Sequence, residues 1–345
     1  MKTLIAKMRN GIDLSSGDIN YAMSMLFSES TEDAVKADFL VALHRKGESV
    51  EEIVAFVQQL IDRAIDPLID PKTLSGPMLD VCGTGGDGLD LFNVSTTIMF
   101  VLAAGGVAVV KHGNRSVTSR CGSADVLEAL GVDIALSPAR LKECVERHGL
   151  CFIFARQYHP AFKAIAEMRQ RLARENIRTV FNLLGPLLNP ARPARQLIGV
   201  FSPDLTRMFA EVLRRLGRER AWIVHGVTDT GEGMDDISTS GVTTFAELAN
   251  GKVTSGLIDP RWLNIPAAPL DELRGGDAAE NAGYLEGILA GKIQGAKRDL
   301  TLVNAGGGFV VAGLCRDMGE GIALAREQID SGRALEKLRA LQAFG

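Results

Sequence analysis

The sequence predicts an α/β protein in which a small N-terminal α-helical domain precedes a larger α/β domain with a central sheet flanked by helices. Three observations carry this. Residues 1–72 show apolar stripes at helical spacing and no strand-like alternation. Pro67, Pro71 and Pro77 then punctuate the chain as a linker. From Met78 onward, short apolar runs alternate with amphipathic segments, the pattern of a doubly wound sheet.

The elements follow in order. Ile19, Met23, Leu26 and Phe27 share one helical face, and Ala37, Leu40, Val41 and Leu43 form a second stripe. Ser49, with Glu52 three residues later, opens a third helix as a capping box, and Val54, Val57, Leu60 and Ile61 continue its apolar face. Residues 78–82 read as a strand, 93–104 as a helical segment and 107–110 as a strand. Helices are expected over 124–130, stopped by Gly131, and over 139–148, led by Pro138. A buried strand at 151–154 precedes a helix at 162–173. Strands at 197–201 and 221–225 enclose a helix at 205–214. Residues 242–248 fit either a strand or a short helix, 255–280 fit loop, and 282–289 fit a helix. Residues 302–305 read as a strand ending at Gly306-Gly307-Gly308, before closing helices at 310–318 and 321–341 with a break near Gly332. The expected domains are 1–72 and 78–345, with part of 162–190 open to either; strand order is not readable.

Composition narrows the function. Lys and Arg total 38 against 42 Asp and Glu, a net charge of −4, so nothing global favours nucleic acid. Cys82, Cys121, Cys144, Cys151 and Cys315 form no CxxC pair; they read as reduced thiols of a cytoplasmic protein rather than a disulfide frame or zinc site. The first ten residues lack the length and apolarity of a signal peptide, and the longest apolar run, 98–110, is too short to span a bilayer.

The chemistry concentrates in 80–125. A short strand ends in Gly83-Thr84-Gly85-Gly86-Asp87, and a second runs into Lys111-His112-Gly113-Asn114-Arg115-Ser116. Glycines let backbone N–H groups approach an anion, and Asn93, Ser95 and Thr96 stand at a helix start, where unpaired N–H groups attract phosphate. Lys111, Arg115, Ser116 and Ser119 would supply charge and donors opposite. The turn matches neither GxxxxGK[ST] nor GxGxxG, so those two phosphate loops are set aside, and taken alone it fits a tight connection as well as a polyphosphate loop. Adjacent Asp235 and Asp236, on a loop after a strand, suit Mg²⁺ held jointly with substrate phosphates. Arg156, His159 and Arg169 form a third cluster, in which Arg169 has the shape to grip a carboxylate. No Ser-His-Asp arrangement has sequence support.

Longer segments make a family visible. GTGGD at 83–87, NVST at 93–96, KHGNRSVTS at 111–119, GSAD at 122–125, YHPA at 158–161, RTVFNLLGPLLNPA at 178–191 and RGGDAAENA at 274–282 resemble the anthranilate phosphoribosyltransferases across essentially the whole chain. The resemblance implies a helical domain hinged to the α/β domain, a homodimer made through the helical domains, and Mg²⁺. It implies transfer of a 5-phosphoribosyl group from 5-phosphoribosyl 1-diphosphate to anthranilate in tryptophan biosynthesis. By the family's pattern, Gly83, Gly86, Asp87, Asn93, Ser95, Thr96, Lys111, Ser119 and Ser123 would bind the diphosphate substrate. Gly83, His112, Asn114, His159 and Arg169 would surround anthranilate, and Ser95, Asp235 and Asp236 would serve metal. Lys111, Asn114 and Arg169 would carry the catalytic work. The sequence departs from the pattern at Leu91, where threonine is usual, at Met234 and Asp236, where leucine and glutamate are usual, and at Arg156, where proline is frequent. A relative with another aromatic acceptor, or a non-catalytic nucleic-acid-binding relative, are the alternatives.

Overall fold

The structure is a computed structural model describing residues 1–116, 120–175 and 177–345. In chain order its helices and strands are α1 (Lys2–Arg9), α2 (Ser16–Leu26), α3 (Asp33–Lys46), α4 (Val50–Ile61), β1 (Met78–Gly83), α5 (Val94–Ala104), β2 (Ala108–Gly113), α6 (Ser123–Ala129), α7 (Pro138–His148), β3 (Leu150–Phe154), α8 (Ala155–Tyr158), α9 (Ala166–Arg174), α10 (Phe181–Leu184), β4 (Arg195–Gly199), α11 (Asp204–Arg215), β5 (Arg220–Val227), β6 (Gly233–Met234), β7 (Thr243–Ala249), β8 (Lys252–Ile258), α12 (Leu270–Leu273), α13 (Ala278–Leu289), α14 (Ala296–Ala312), α15 (Met318–Asp330) and α16 (Arg333–Gln342). The chain forms two compact units, Met1–Ile65 with Arg156–Pro190, and Asp66–Ala155 with Ala191–Gly345.

The first unit is helical. Capping boxes start α2 at Ser15 with Asp18 and α4 at Ser49 with Glu52. Glu52 does more than cap: it is fully buried, accepts the Leu14 N–H at 2.8 Å, and pairs with Lys46 at 2.8 Å. A buried carboxylate needs such partners, since unpaired it would be costly. Ile19, Met23, Leu26, Leu40, Leu43 and Phe56 fill the core. The later segment is tied in where the Ile65 N–H donates to the Tyr158 carbonyl at 2.8 Å and Phe27 meets the Phe162 ring edge-on.

The second unit is built on an eight-stranded sheet of order β3-β2-β1-β4-β5-β7-β8, with β6 beside β5. Pairing is parallel from β3 through β5 and antiparallel from β5 through β8. The chain winds from β1 outward through β2 and β3, then returns to place β4 on the other side of β1. That reversal makes a topological switch point between β1 and β4, and ligands of open α/β sheets bind outside the carboxyl ends of the strands there.

Several sequence expectations are corrected. Residues 302–305 are not a strand but the middle of α14, which is buried along nearly its whole length. A short apolar run reads equally as buried strand or buried helix, and the triple glycine suggested a strand end. Instead those glycines let α14 press close to its neighbours: Gly306 lies against Gly321 of α15, and Gly308 against Leu102 of α5. The next helix accordingly starts at Met318, after Gly313 closes α14 in a left-handed conformation at φ 77°. Residues 255–258 belong to β8, and 242–248 is largely the strand β7. Finally, β2 continues to Gly113, so Lys111 and His112 are strand residues rather than loop residues.

Candidate active site

The carboxyl edge of β1 carries the glycine turn, where Gly85, Gly86 and Gly88 all take positive φ. Its shape depends on the acidic turn behind β6. The Gly85 N–H donates to Asp235 Oδ2 at 2.7 Å, and the same carboxylate oxygen would stand 2.3 Å from any Cβ at Gly83. Glycine at 83 is thus the condition for the two turns to touch. Asp235 is pushed up to about 7 by burial, then by the charge of Asp87. Asp236 is raised well above the ordinary carboxylate range by burial and by Asp235 beside it. Packing three carboxylates at one sheet edge is unfavourable unless a cation or protons neutralise them.

Lys111 is the resident cation. It is 2% exposed, and its Nζ donates to the Val81 carbonyl at 2.6 Å and to Ser95 Oγ at 3.1 Å. Burial lowers its pKa, while the fields of Cys82, Asp80, Asp236 and Asp235 act to hold the proton. It therefore does not stand in a loop facing the glycine turn, as the sequence suggested, but lies beneath the floor and reaches the cleft through Ser95. Ser95 and Thr96 are in the first turn of α5, whose N-cap residue Asn93 makes no side-chain cap bond. Thr96 Oγ1 is buried without a partner among the described residues. A helix start with open N–H groups and spare hydroxyls is a ready anion site.

Asn93 itself is engaged. Its Nδ2 donates to the Cys121 carbonyl at 3.2 Å, and its Oδ1 accepts from Asn281 at 2.9 Å. Asn281, 2% exposed, also accepts the Gly276 N–H at 2.8 Å. This clamp was missed from the sequence, although RGGDAAENA signalled that the segment mattered. Nearby, the Leu91 backbone bridges to Arg274, and Arg274 donates to the Leu89 carbonyl at 2.9 Å.

The loop after β2 is braced by charge. Asp125 accepts the N–H groups of Ser116 at 3.0 Å and Gly122 at 2.9 Å, and Arg115 pairs with both Asp125 and Glu128. Arg115 is thus a structural brace, contrary to the expectation that it supplies charge to a ligand. Ser123 donates to the Asn114 carbonyl at 3.2 Å. Asn114 is exposed; its Oδ1 accepts the Arg115 N–H at 2.9 Å, and its amide nitrogen has no partner among the described residues. His112 is buried, and its backbone N–H donates to Asp80 at 3.1 Å. Ser119 lies outside the described residues.

His159 and Arg169 belong to the helical unit. His159 is buried, its Nε2 lies 2.7 Å from the Leu188 carbonyl, and burial holds its pKa below the ordinary value. The Arg169 guanidinium lies 5.3 Å from the Phe162 ring centre and 5.1 Å from that of Phe181. Burial lowers its pKa, and no carboxylate pairs with it among the described residues. A guanidinium supported on two aromatic faces presents its N–H edge to a carboxylate. Arg156 starts the same region on the short helix α8.

The donor set fits Mg²⁺ of a particular kind. Among the described residues no three His, Cys, Asp or Glu side chains converge as a complete metal cage. Asp235 and Asp236 with the Ser95 hydroxyl are a partial set of hard oxygen donors, and burial makes the two carboxylates costly to ionise without a cation beside them. Mg²⁺ is commonly bound this way, by one or two carboxylates together with substrate phosphates and water.

Fold and site together define the class: the glycosyl transferase family, whose a/b domain matches residues 75–335 and whose helical bundle domain matches residues 2–64. An anthranilate phosphoribosyltransferase of Desulfatibacillum aliphaticivorans is 44% identical over 341 residues, 99% of this chain and 97% of the relative. The crystal structure of anthranilate phosphoribosyltransferase from Thermus thermophilus superposes with a TM-score of 0.89 at 40% identity, covering 99% and 98% of the two chains. The Saccharomyces cerevisiae enzyme in complex with PRPP and Mg superposes with a TM-score of 0.84 at 26% identity, again covering 99% and 98%. The chain belongs to the anthranilate phosphoribosyltransferase family.

Proposed function

We propose that the chain transfers the 5-phosphoribosyl group of 5-phosphoribosyl 1-diphosphate to the amine of anthranilate, giving N-(5-phosphoribosyl)anthranilate and diphosphate in L-tryptophan biosynthesis. The observation that carries this is the contact of the glycine turn with Asp235 above the buried Lys111–Ser95 pair, at the switch point of the sheet. It supplies an anion-binding helix start, a backbone cradle and buried carboxylates at one edge.

The anthranilate nitrogen bonds to ribose C1 as the C1–O bond to diphosphate breaks. The electron pair leaves with diphosphate, and the amine then loses a proton. Because an arylamine is already neutral at pH 7, orientation matters more than a strong base. Lys111, acting from below through Ser95, stabilises the negative charge growing on the leaving group. By the family pattern Asn114 and Arg169 would orient the acceptor, Arg169 by its carboxylate, and His112 and His159 are the further residues assigned to anthranilate. Gly83, Gly86, Asp87, Asn93, Thr96 and Ser123 serve the diphosphate side, to which the family pattern also assigns Ser119, outside the described residues. Asp235, Asp236 and Ser95 hold Mg²⁺, which when bound neutralises diphosphate charge. The five free cysteines support a cytoplasmic setting. Among the described residues no helix is long and apolar enough to cross a membrane. The helical unit serves as hinge and as the face of a homodimer, which sedimentation would test.

A product assay tests the reading. Anthranilate fluorescence should disappear only with both Mg²⁺ and the diphosphate donor present, and faster than with substituted anthranilates. Turnover of another aromatic amine in preference would shift the acceptor, and no turnover would remove the reading. Arg169→Ala should raise the anthranilate KM by roughly ten- to a hundredfold, the worth of a lost charged hydrogen bond, and leave the donor KM nearly unchanged.

A further inference from the structure

Asn304 is a buried polar side chain that the chemistry above does not use. It sits on α14 and is 1% exposed. Its Oδ1 accepts the Ile237 N–H at 2.9 Å, while its Nδ2 donates to the Ile237 carbonyl at 2.9 Å and the Leu300 carbonyl at 3.0 Å. Both backbone polar groups of the residue after Asp235-Asp236 therefore end on one amide, a side chain able to accept and donate at once.

The same helix face adds a steric half. A Cβ at Gly307 would stand 2.6 Å from Ile237 Cδ1, so glycine leaves room for that side chain. On the opposite side, a Cβ at Gly199 would overlap the Asp235 carbonyl, and one at Gly226 would lie 2.5 Å from the Asp236 carbonyl. The acidic turn is thus threaded between the tips of β4 and β5 and the socket on α14. Asn304, Asp235, Asp236 and Ser95 also line a common void of about 10 Å³, which holds a single water at most. Ser238 anchors the far side of the turn by donating to the Val227 carbonyl at 2.6 Å, whereas Asn304 anchors it next to the carboxylates.

We propose that Asn304 is the positioning residue of the acidic turn, holding Asp235 and Asp236 ready for Mg²⁺ before metal and diphosphate arrive. This rests on the proposed reaction. Buried backbone groups demand partners, so without the amide the Ile237 peptide groups must rotate to find others, carrying the adjacent carboxylates with them. Supporting bonds of this kind orient the ligands and so set metal affinity.

The test uses the full chain, Mn²⁺ as the probe ion and 5-phosphoribosyl 1-diphosphate, with binding read by paramagnetic resonance. Asn304→Leu is close in shape and removes the three bonds. It should weaken Mn²⁺ binding about tenfold and move the half-saturating Mg²⁺ of turnover by a similar factor. Saturating metal should restore kcat, and the anthranilate KM should stay within about twofold. Gly307→Ala, whose Cβ would crowd the far end of the flexible Ile237 side chain and make ordinary contact with Trp222, should give a smaller shift in the same direction; it decides the matter if Asn304→Leu does not fold. Unchanged Mn²⁺ affinity in a folded variant, or a kcat loss that excess metal leaves in place, overturns the proposal. Wild-type protein that binds neither donor nor Mn²⁺ would instead overturn the reaction assigned above, so the two failures are distinct.

Discussion

The acidic turn behind β6 and the loop after β2 serve the same sheet edge, but different bonds hold them. The acidic turn is fixed by neutral, buried hydrogen bonds from Asn304 and by close backbone packing at Gly199. The loop after β2 is fixed by charge, through Arg115, Asp125 and Glu128 near the surface. Buried neutral bonds are insensitive to salt and pH, whereas exposed charged ones are screened and titrate. The backbone of one wall is therefore held by bonds that do not titrate, whereas the bracing of the other responds to salt and pH.

Stripping the acidic turn of its buried counter-charge should have the largest effect. Lys111→Ala removes the cation beneath Ser95 and leaves Asp235 and Asp236 without it; kcat/KM should fall by about 10²- to 10³-fold. Near-normal steady-state kinetics would show that Lys111 is only a core residue. The second test sharpens the contrast within that wall. Asp235 titrates at about 7, so below that pH a proton must leave before metal binds. The half-saturating Mg²⁺ concentration should rise at least tenfold from pH 8 to pH 6, one decade per unit below the pKa from Asp235 alone and more where Asp236 must also give up its proton. A flat Mg²⁺ requirement across that range would remove Asp235 from the metal set.

The smallest effect belongs to the charged wall. Burial works to raise the Asp125 pKa, but the Ser116 and Gly122 N–H groups and Arg115 outweigh it and hold it below the ordinary value. Its contribution to stability is complete above the ordinary carboxylate range and is lost as pH falls through the depressed folded value. Asp125→Asn should cost about 1 kcal/mol at neutral pH after solvent screening and flatten that part of the acid dependence. Urea unfolding at several pH values measures both. An unchanged acid profile would place the loop's anchor elsewhere.

What the sequence revealed divides along local and long-range lines. The glycine turn, the capping box at Ser49 and the start of α5 are set by neighbours a few residues apart, and such signals are readable. The switch point was not, because β1 meets β4 across more than a hundred residues. Lys111 was misplaced because a lysine leading into His112-Gly113-Asn114 reads as loop; its burial depends on partners in other elements, Val81 and Ser95. Asn304 was hidden within an apolar run mistaken for a strand, where a single amide has no visible partner until Ile237 is brought to it. Arg169 was visible as a carboxylate grip, but its aromatic support from Phe162 and Phe181 was not.

The helical unit is assembled from Met1–Ile65 and Arg156–Pro190, with the first three strands encoded between them. On the ribosome, α1 to α4 must therefore wait while β1, β2 and β3 are synthesised, and Tyr158 and Phe162 reach them only afterwards. The smaller unit can close only after Arg156–Pro190 has left the exit tunnel, so a released fragment ending near Pro190, rather than a chain stalled there, would carry every segment of the helical unit while lacking β4 and β5. A fragment ending at Ile65 would carry four helices with part of their core exposed, and would serve poorly as an isolated domain.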